Sequence, residues 1–297
     1  MRSTGTLFCV ASAAGFGAMA VFGKLAYDNG ATVGTLLAVR FALAAALFWV
    51  LVIGSGAIGD LRKLGRRDVA IALALGAGGY AAQAGFFFSA LERIDASLLS
   101  LLLYTFPSMV AVAAIALGRE RADRRRLVAL VIASAGLVLV LATARAGALD
   151  AVGVGLALSA AVVYTTYILV SQGVASRVRP TVLSALVCSG AAVSLAIGSA
   201  SLGELRPAEV TATGWVWLAG IAVVSTVAAV SLFFAGLKRV GPTTASVLST
   251  VEPVVTVLLA FLVFGELLGP LQLLGGLLVI AAVLVLASYR PPEVVAA

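Results

Sequence analysis

Ten apolar runs of roughly 20 residues, joined by short polar connections, leave this chain few ways to fold. A helix of that length matches the hydrocarbon core of a bilayer, where every backbone group must be bonded internally, so only helices and closed barrels can span it. The runs are continuous and not alternating, which excludes a barrel and predicts an all-α integral membrane protein. They cover about 6–27, 33–55, 69–91, 95–117, 127–144, 151–172, 181–203, 214–237, 242–264 and 270–289. Arg2 ahead of an apolar stretch resembles a secretory leader. The run it precedes is interrupted only by Lys24 and nine more follow, so it reads as a retained first helix. Cys9 has too little apolar sequence before it for a lipoprotein anchor.

Basic residues predict the orientation. Fifteen of the 20 Lys and Arg residues fall in alternate connections on one side. Only Arg93, Arg145 and Arg206 fall on the other, while Lys24 and Arg40 lie within runs. By the positive-inside rule both termini face the cytoplasm, in the cytoplasmic membrane. The same distribution accounts for the net charge of +7 without nucleic acid. The chain has no histidine and its two cysteines, Cys9 and Cys188, stand singly in apolar runs, so no metal site, disulfide framework or cofactor is expected.

Residues 91–121 recur at 237–267 without a gap, at an offset of 146. Seven of the 31 pairs are identical: Leu91/Leu237, Arg93/Arg239, Ser100/Ser246, Leu102/Leu248, Pro107/Pro253, Ala114/Ala260 and Glu120/Glu266. The expectation is two five-helix halves, residues 1–146 and 147–297. Five crossings per half is odd, so the second half enters the membrane opposite to the first. Inverted repeats with a proline in corresponding helices are the sequence pointer to a carrier that works by alternating access.

Polar groups inside the runs are candidate site residues, because each needs a partner at that depth. Glu252 is an acid near the bilayer midplane, where insertion as an anion costs at least ~2.5 kcal/mol; it either carries a coupling proton or is bonded to hydroxyls or a base. Arg40 offers a planar fork for a substrate carboxylate, or it pairs with Glu252 or a helix carbonyl. Tyr80, Gln83, Tyr104, Tyr164 and Tyr167 are polar-tipped; Tyr80 and Gln83, like Tyr164 and Tyr167, are spaced to share a helix face. Two or three of this set are expected to line a pocket. Pro107 and Pro253 remove backbone donors, freeing the carbonyls of Leu103 and Ser249 and bending helices that move or merely pack. Lys24 is read as snorkelling to the interface, and Phe86, Phe87 and Phe88 as packing groups. Gly76, Gly78, Gly79, Gly275 and Gly276 allow close helix approach, compatible with a monomer without separating it from a dimer.

Taken with their order, these residues resemble the EamA-type branch of the drug/metabolite transporter superfamily. The likeness rests on Phe16-Gly17, Lys24, Arg40-Phe41, Ala96-Ser97, Pro107 and Glu120, and in the second half on Gly241-Pro242-Thr243-Thr244-Ala245-Ser246, Glu252-Pro253 and Phe264-Gly265-Glu266. Phe16 departs from the tryptophan often found before the first glycine. The resemblance implies movement of a small polar metabolite, with amino acids, aromatic ones included, prominent among the substrates. It makes Glu120 and Glu266 family markers and candidate gate contacts. A lipid-modifying membrane enzyme is the alternative from another class, disfavoured by the absence of histidine and of paired aspartates in the runs. A passive channel is disfavoured by the lack of a repeated filter loop.

Overall fold

The computed structural model describes residues 2–118, 124–142, 150–240, 245 and 248–287, and among them every regular element is helical. Glu120, the 241–244 motif, Ser246 and the ends of the fifth and tenth runs lie outside the described residues. The helices are α1 (Arg2–Tyr27), α2 (Val33–Gly54), the short α3 (Ile58–Lys63), α4 (Arg66–Leu91), α5 (Ala96–Ala116), α6 (Arg124–Ala142), α7 (Ala151–Ala175), α8 (Pro180–Ser201), α9 (Ala212–Val240), α10 (Val251–Phe264) and α11 (Pro270–Ala287). Seven are long and apolar enough to cross a bilayer, namely α1, α2, α4, α5, α7, α8 and α9. Of the remaining four, α3 is a six-residue helix, and the apolar parts of α6, α10 and α11 are shorter, Leu127–Val140, Val251–Phe264 and Pro270–Val285. This is a multi-pass membrane protein, with large apolar side chains such as Val50, Val131, Ile197 and Leu262 exposed on its flanks.

Local chemistry sets the helix ends. Thr32 and Thr211 cap α2 and α9, each hydroxyl accepting from the N–H three residues on, at 3.0 and 3.1 Å. Pro180 opens α8, where its missing N–H costs nothing. Gly265 closes α10 in the left-handed region at φ 68°, the conformation glycine adopts without strain. Its N–H returns to the Phe261 carbonyl at 2.9 Å and that of Glu266 to Ala260 at 3.3 Å, fixing the direction in which Glu266 leaves the helix.

Three long helices depart from regular α geometry. α4 is π-helical over Leu75–Tyr80 and α9 over Val223–Ala228, positions 148 residues apart. α5 is two pieces, Ala96–Leu103 and Phe106–Ala116, with Pro107 in the first turn of the second. The interruption therefore falls just ahead of the proline. Pro253 likewise sits in the first turn of α10, after Thr250.

Small residues bring the helices together. α2 lies along α8, α6 along α11, α1 against α9 and α10, α4 against α7 and α8, and α5 against α7 and α10. A Cβ on Gly136 of α6 would stand 2.6 Å from the Gly275 carbonyl oxygen of α11, and one on Gly275 would stand 2.7 Å from that of Gly136. Their backbones are in contact, as apolar bundles require when no water drives association. Gly76 faces the Val187 backbone of α8 and Gly79 faces the Tyr167 ring. Gly78 meets nothing within 4 Å, so the expectation of close approach fails there. Overpacking the α6–α11 seam with Gly136→Val should lower stability by about 1–3 kcal/mol, read as the unfolding midpoint in detergent. Gly78→Ala should leave it unchanged, and equal effects from the two would contradict this packing.

Candidate functional site

Arg40 is the largest fully buried side chain among the described residues, at 2% exposure. A guanidinium carries five N–H donors and stays charged, so it needs acceptors wherever it is placed. The two π-helical segments supply two. Nε donates to the Thr226 hydroxyl of α9 at 3.0 Å, and one terminal nitrogen donates to the Tyr80 hydroxyl of α4 at 3.4 Å. Thr226 passes its own proton to the Ile221 carbonyl at 3.0 Å, a five-residue reach that suits a π turn. Aromatic faces complete the surroundings, with the guanidinium carbon 4.8 Å from the Phe41 centroid, 5.5 Å from Phe88 and 6.0 Å from Tyr80. These are cation–π distances. Among the described residues no carboxylate stands within ion-pair distance of Arg40.

From Arg40 a row of rings crosses the interior. Tyr80 lies 5.9 Å from Tyr167, Tyr167 stacks on Tyr164 at 6.4 Å, Tyr164 meets Phe106 at 4.6 Å, and Phe106 meets Tyr104 at 5.8 Å. Tyr104 stands at the break in α5, where its hydroxyl faces the Ser249 carbonyl at 2.5 Å and a Glu252 carboxylate oxygen at 3.4 Å. Arg40 and Glu252 thus mark the two ends of one aromatic row contributed by α4, α5 and α7. The alternative that they pair directly is not what the structure has. The interrupted helices also meet here, because Tyr104 precedes Pro107 and Ser249 precedes Pro253.

Of the other sequence candidates, Gln83 is buried on α4 and makes no hydrogen bond among the described residues. Thr226, Phe88 and Phe106 join this arrangement; Thr226 and Phe106 were not singled out from sequence, and Phe88 was read as a packing group. Thr226 was visible only as one hydroxyl among several in an apolar run, and Phe88 as one of three consecutive phenylalanines.

Lys24, expected only to snorkel, has defined partners: its ammonium contacts the Glu266 carboxylate at 2.8 Å and lies 3.7 Å from Asp95. Glu266 also accepts from the N–H of Ala96 at 3.1 Å, the N–H of Ser97 at 3.0 Å and the Ser97 hydroxyl at 2.8 Å. The carboxylate therefore occupies the N-terminus of α5, where unpaired N–H groups and the helix dipole favour an anion.

Burial opposes ionisation of Glu266, but Lys24 and the Ser97 donors outweigh it and hold its carboxyl below the usual 4.5. A carboxyl lowered by folding stabilises the native state above its unfolded value, about 4.3, and that contribution is lost as the pH falls through the lower native value. Glu266→Gln should reduce the unfolding midpoint at neutral pH, and the gap to the wild type should close in acid, below about pH 4. Lys24 is the charged neighbour that shapes this profile. A gap constant with pH would contradict it.

The comparisons with known proteins agree with this architecture. The EamA-like transporter family matches residues 3–142 and again 151–288. The uncharacterized transporter YcbK of Bacillus subtilis (strain 168) is 28% identical over 280 residues, covering 92% of this chain and 89% of the relative. An uncharacterized transporter of Archaeoglobus fulgidus is 28% identical over 228 residues, covering 76% and 78%. A solved crystal structure aligns over 96% of each chain with a TM-score of 0.68 and 20% identity, which establishes a shared fold. The family match, in two consecutive stretches that together take in nearly the whole chain, identifies it: this protein belongs to the EamA-like transporter family.

Proposed function

We propose that this transporter is a secondary carrier that exports a small zwitterionic metabolite, an amino acid with an aromatic or similarly flat side chain, across the cytoplasmic membrane. The observation that carries the reading is Arg40, a buried cation that faces hydroxyls and rings but no carboxylate among the described residues. A substrate carboxylate completes its donor set with the paired, charge-assisted geometry that a guanidinium favours. The row from Tyr80 to Tyr104 offers stacking surfaces, and Glu252 at its far end offers an anion for the substrate ammonium.

Alternating access by two inverted five-helix halves, with both termini cytoplasmic, is the mechanism we infer. Several matched features support it. The π segments lie 148 residues apart and the prolines 146 apart. The helix contacts exchange in pairs: α1 packs on α9 and α10 as α7 packs on α4 and α5, and α2 packs on α9 as α8 packs on α4. Helices interrupted at mid-membrane depth are where carriers of this design place substrate.

The test is counterflow of labelled aromatic and small amino acids in proteoliposomes of the purified protein, with and without a pH gradient. Saturable exchange is expected, and Arg40→Met should raise the apparent KM about 10- to 100-fold, the worth of hydrogen bonds to a charged group. The matching amine without the carboxylate should compete poorly with the substrate in the wild type and almost equally in Arg40→Met. An unchanged KM would remove Arg40 from the site. Conductance far above carrier turnover would point to a channel instead.

A further inference from the structure

We propose that Lys24, Glu266 and the first turn of α5 form a latch that closes one end of the substrate pathway and releases when that end opens. The proposal rests on the alternating-access reading above and names the contacts that hold one of its two states.

Four bonds converge on one carboxylate whose side chain is 7% exposed. They come from three helices: the Lys24 ammonium near the end of α1, the Ala96 and Ser97 donors that begin α5, and Glu266 itself just past the end of α10. α1 and α10 pack along one another and α10 packs on the first piece of α5, so the latch joins helices already in contact. The Gly265 cap turns Glu266 toward this point.

The latch acts on a rigid lever. It grips the start of the Ala96–Leu103 piece, whose other end is the break that carries Tyr104, and Tyr104 reaches Ser249 and Glu252. Displacing this eight-residue piece at the latch moves Tyr104 at the site. A closed mouth and a bound substrate are thereby connected through one short helix. All the latch groups are charged or strongly polar, so water can replace each bond when the end opens. That reversibility suits a gate better than a permanent staple, since hydrogen bonds exchanged with water change the free energy only modestly.

The corresponding sequence positions of the other half carry different residues. At the offset of 146, Glu266 corresponds to Glu120, and Ala96 and Ser97 correspond to Pro242 and Thr243. Proline has no N–H to donate. Offsets of 147 and 148 place Ser171 or Gln172 where Lys24 would be, and neither is cationic. At these sequence positions the second half has no lysine and a proline without an N–H, so the arrangement is not repeated residue for residue.

The experiment measures access to the site without a substrate. A cysteine replaces Tyr164 in a chain with Cys9→Ala and Cys188→Ala, and a membrane-impermeant sulfonated maleimide is applied from either face of sealed vesicles. Glu266→Gln is expected to raise the labelling rate from the Lys24 face about tenfold, with little rise from the other. Lys24→Met, which leaves the Ala96 and Ser97 bonds in place, should give a smaller rise from the same face. Labelling that is unchanged in both variants, or raised equally from both faces, overturns the latch. If Glu266→Gln does not yield monodisperse protein, Lys24→Met and Ser97→Ala decide the matter by the same criterion. Counterflow of the labelled amino acids by the otherwise unaltered chain is recorded separately. Exchange without any shift in labelling rejects the latch alone, whereas a one-sided shift without amino-acid exchange upholds the gate and rejects the substrate assignment.

Discussion

A permanently charged guanidinium inside a hydrophobic bundle organises much of what surrounds it. Placing an arginine at the centre of a membrane helix costs about 2.5–3.5 kcal/mol on insertion scales, and Arg40 meets that cost without a counter-ion among the described residues. The compensation is spread over the Thr226 and Tyr80 hydroxyls and the faces of Phe41, Phe88 and Tyr80. Both hydroxyls come from π-helical turns, the wider geometry often found at functional sites. Gly76, in the same π turn as Tyr80, packs directly on the α8 backbone. Arg40 therefore sits where two irregular helices and one tight helix contact converge.

Leaving such a cation partly unpaired has a physical consequence. A buried carboxylate partner would lock the group, because separating a desolvated ion pair is expensive. Hydroxyls and rings hold it more loosely, and its remaining donors stay available to an anion that comes and goes. Glu252 shows the complementary arrangement at the far end of the row, where the hydroxyl of Tyr104 is the donor that reaches its carboxylate. On the proposed function, Arg40 and Glu252 kept apart by rings suit a dipolar solute. The same two charges in contact would have formed only a structural pair.

Much of the fold was legible in the sequence because it follows from length and hydropathy. Seven of the ten apolar runs are helices long enough to span, with bounds such as Val33–Gly54 against the expected 33–55, and shorter apolar helices lie in the other three. Less of the site could be read. Arg40, Glu252 and the tyrosines were conspicuous as polar groups in apolar runs, yet which of them meet is set by helix packing and by local changes of helical period. The π turns leave no mark in composition, so Thr226 stayed hidden. The partner of Lys24 stayed hidden for a related reason: in its own helix it stands near an end, where snorkelling is the default, and only tertiary structure brings Glu266, 242 residues away, within reach. Gly78 shows the opposite error, a small residue credited with a contact that its face of the helix does not make.

The interrupted helices give these separate observations a common mechanical sense. An unbroken helix transmits a displacement along its axis but keeps its residues in fixed relation. A break lets one piece tilt while the other stays packed. In α5 the outer piece is held at one end by Glu266 and bears Tyr104 at the other, while the piece beginning at Phe106 contributes a ring to the aromatic row. The start of α10 meets the same tyrosine through Ser249 and Glu252. Under the proposed mechanism, solute binding along the row and opening at the Lys24 end act on the two ends of a single short helix. In that mechanism each state of the helix favours one set of contacts, which is the condition for a ligand to shift a conformational equilibrium.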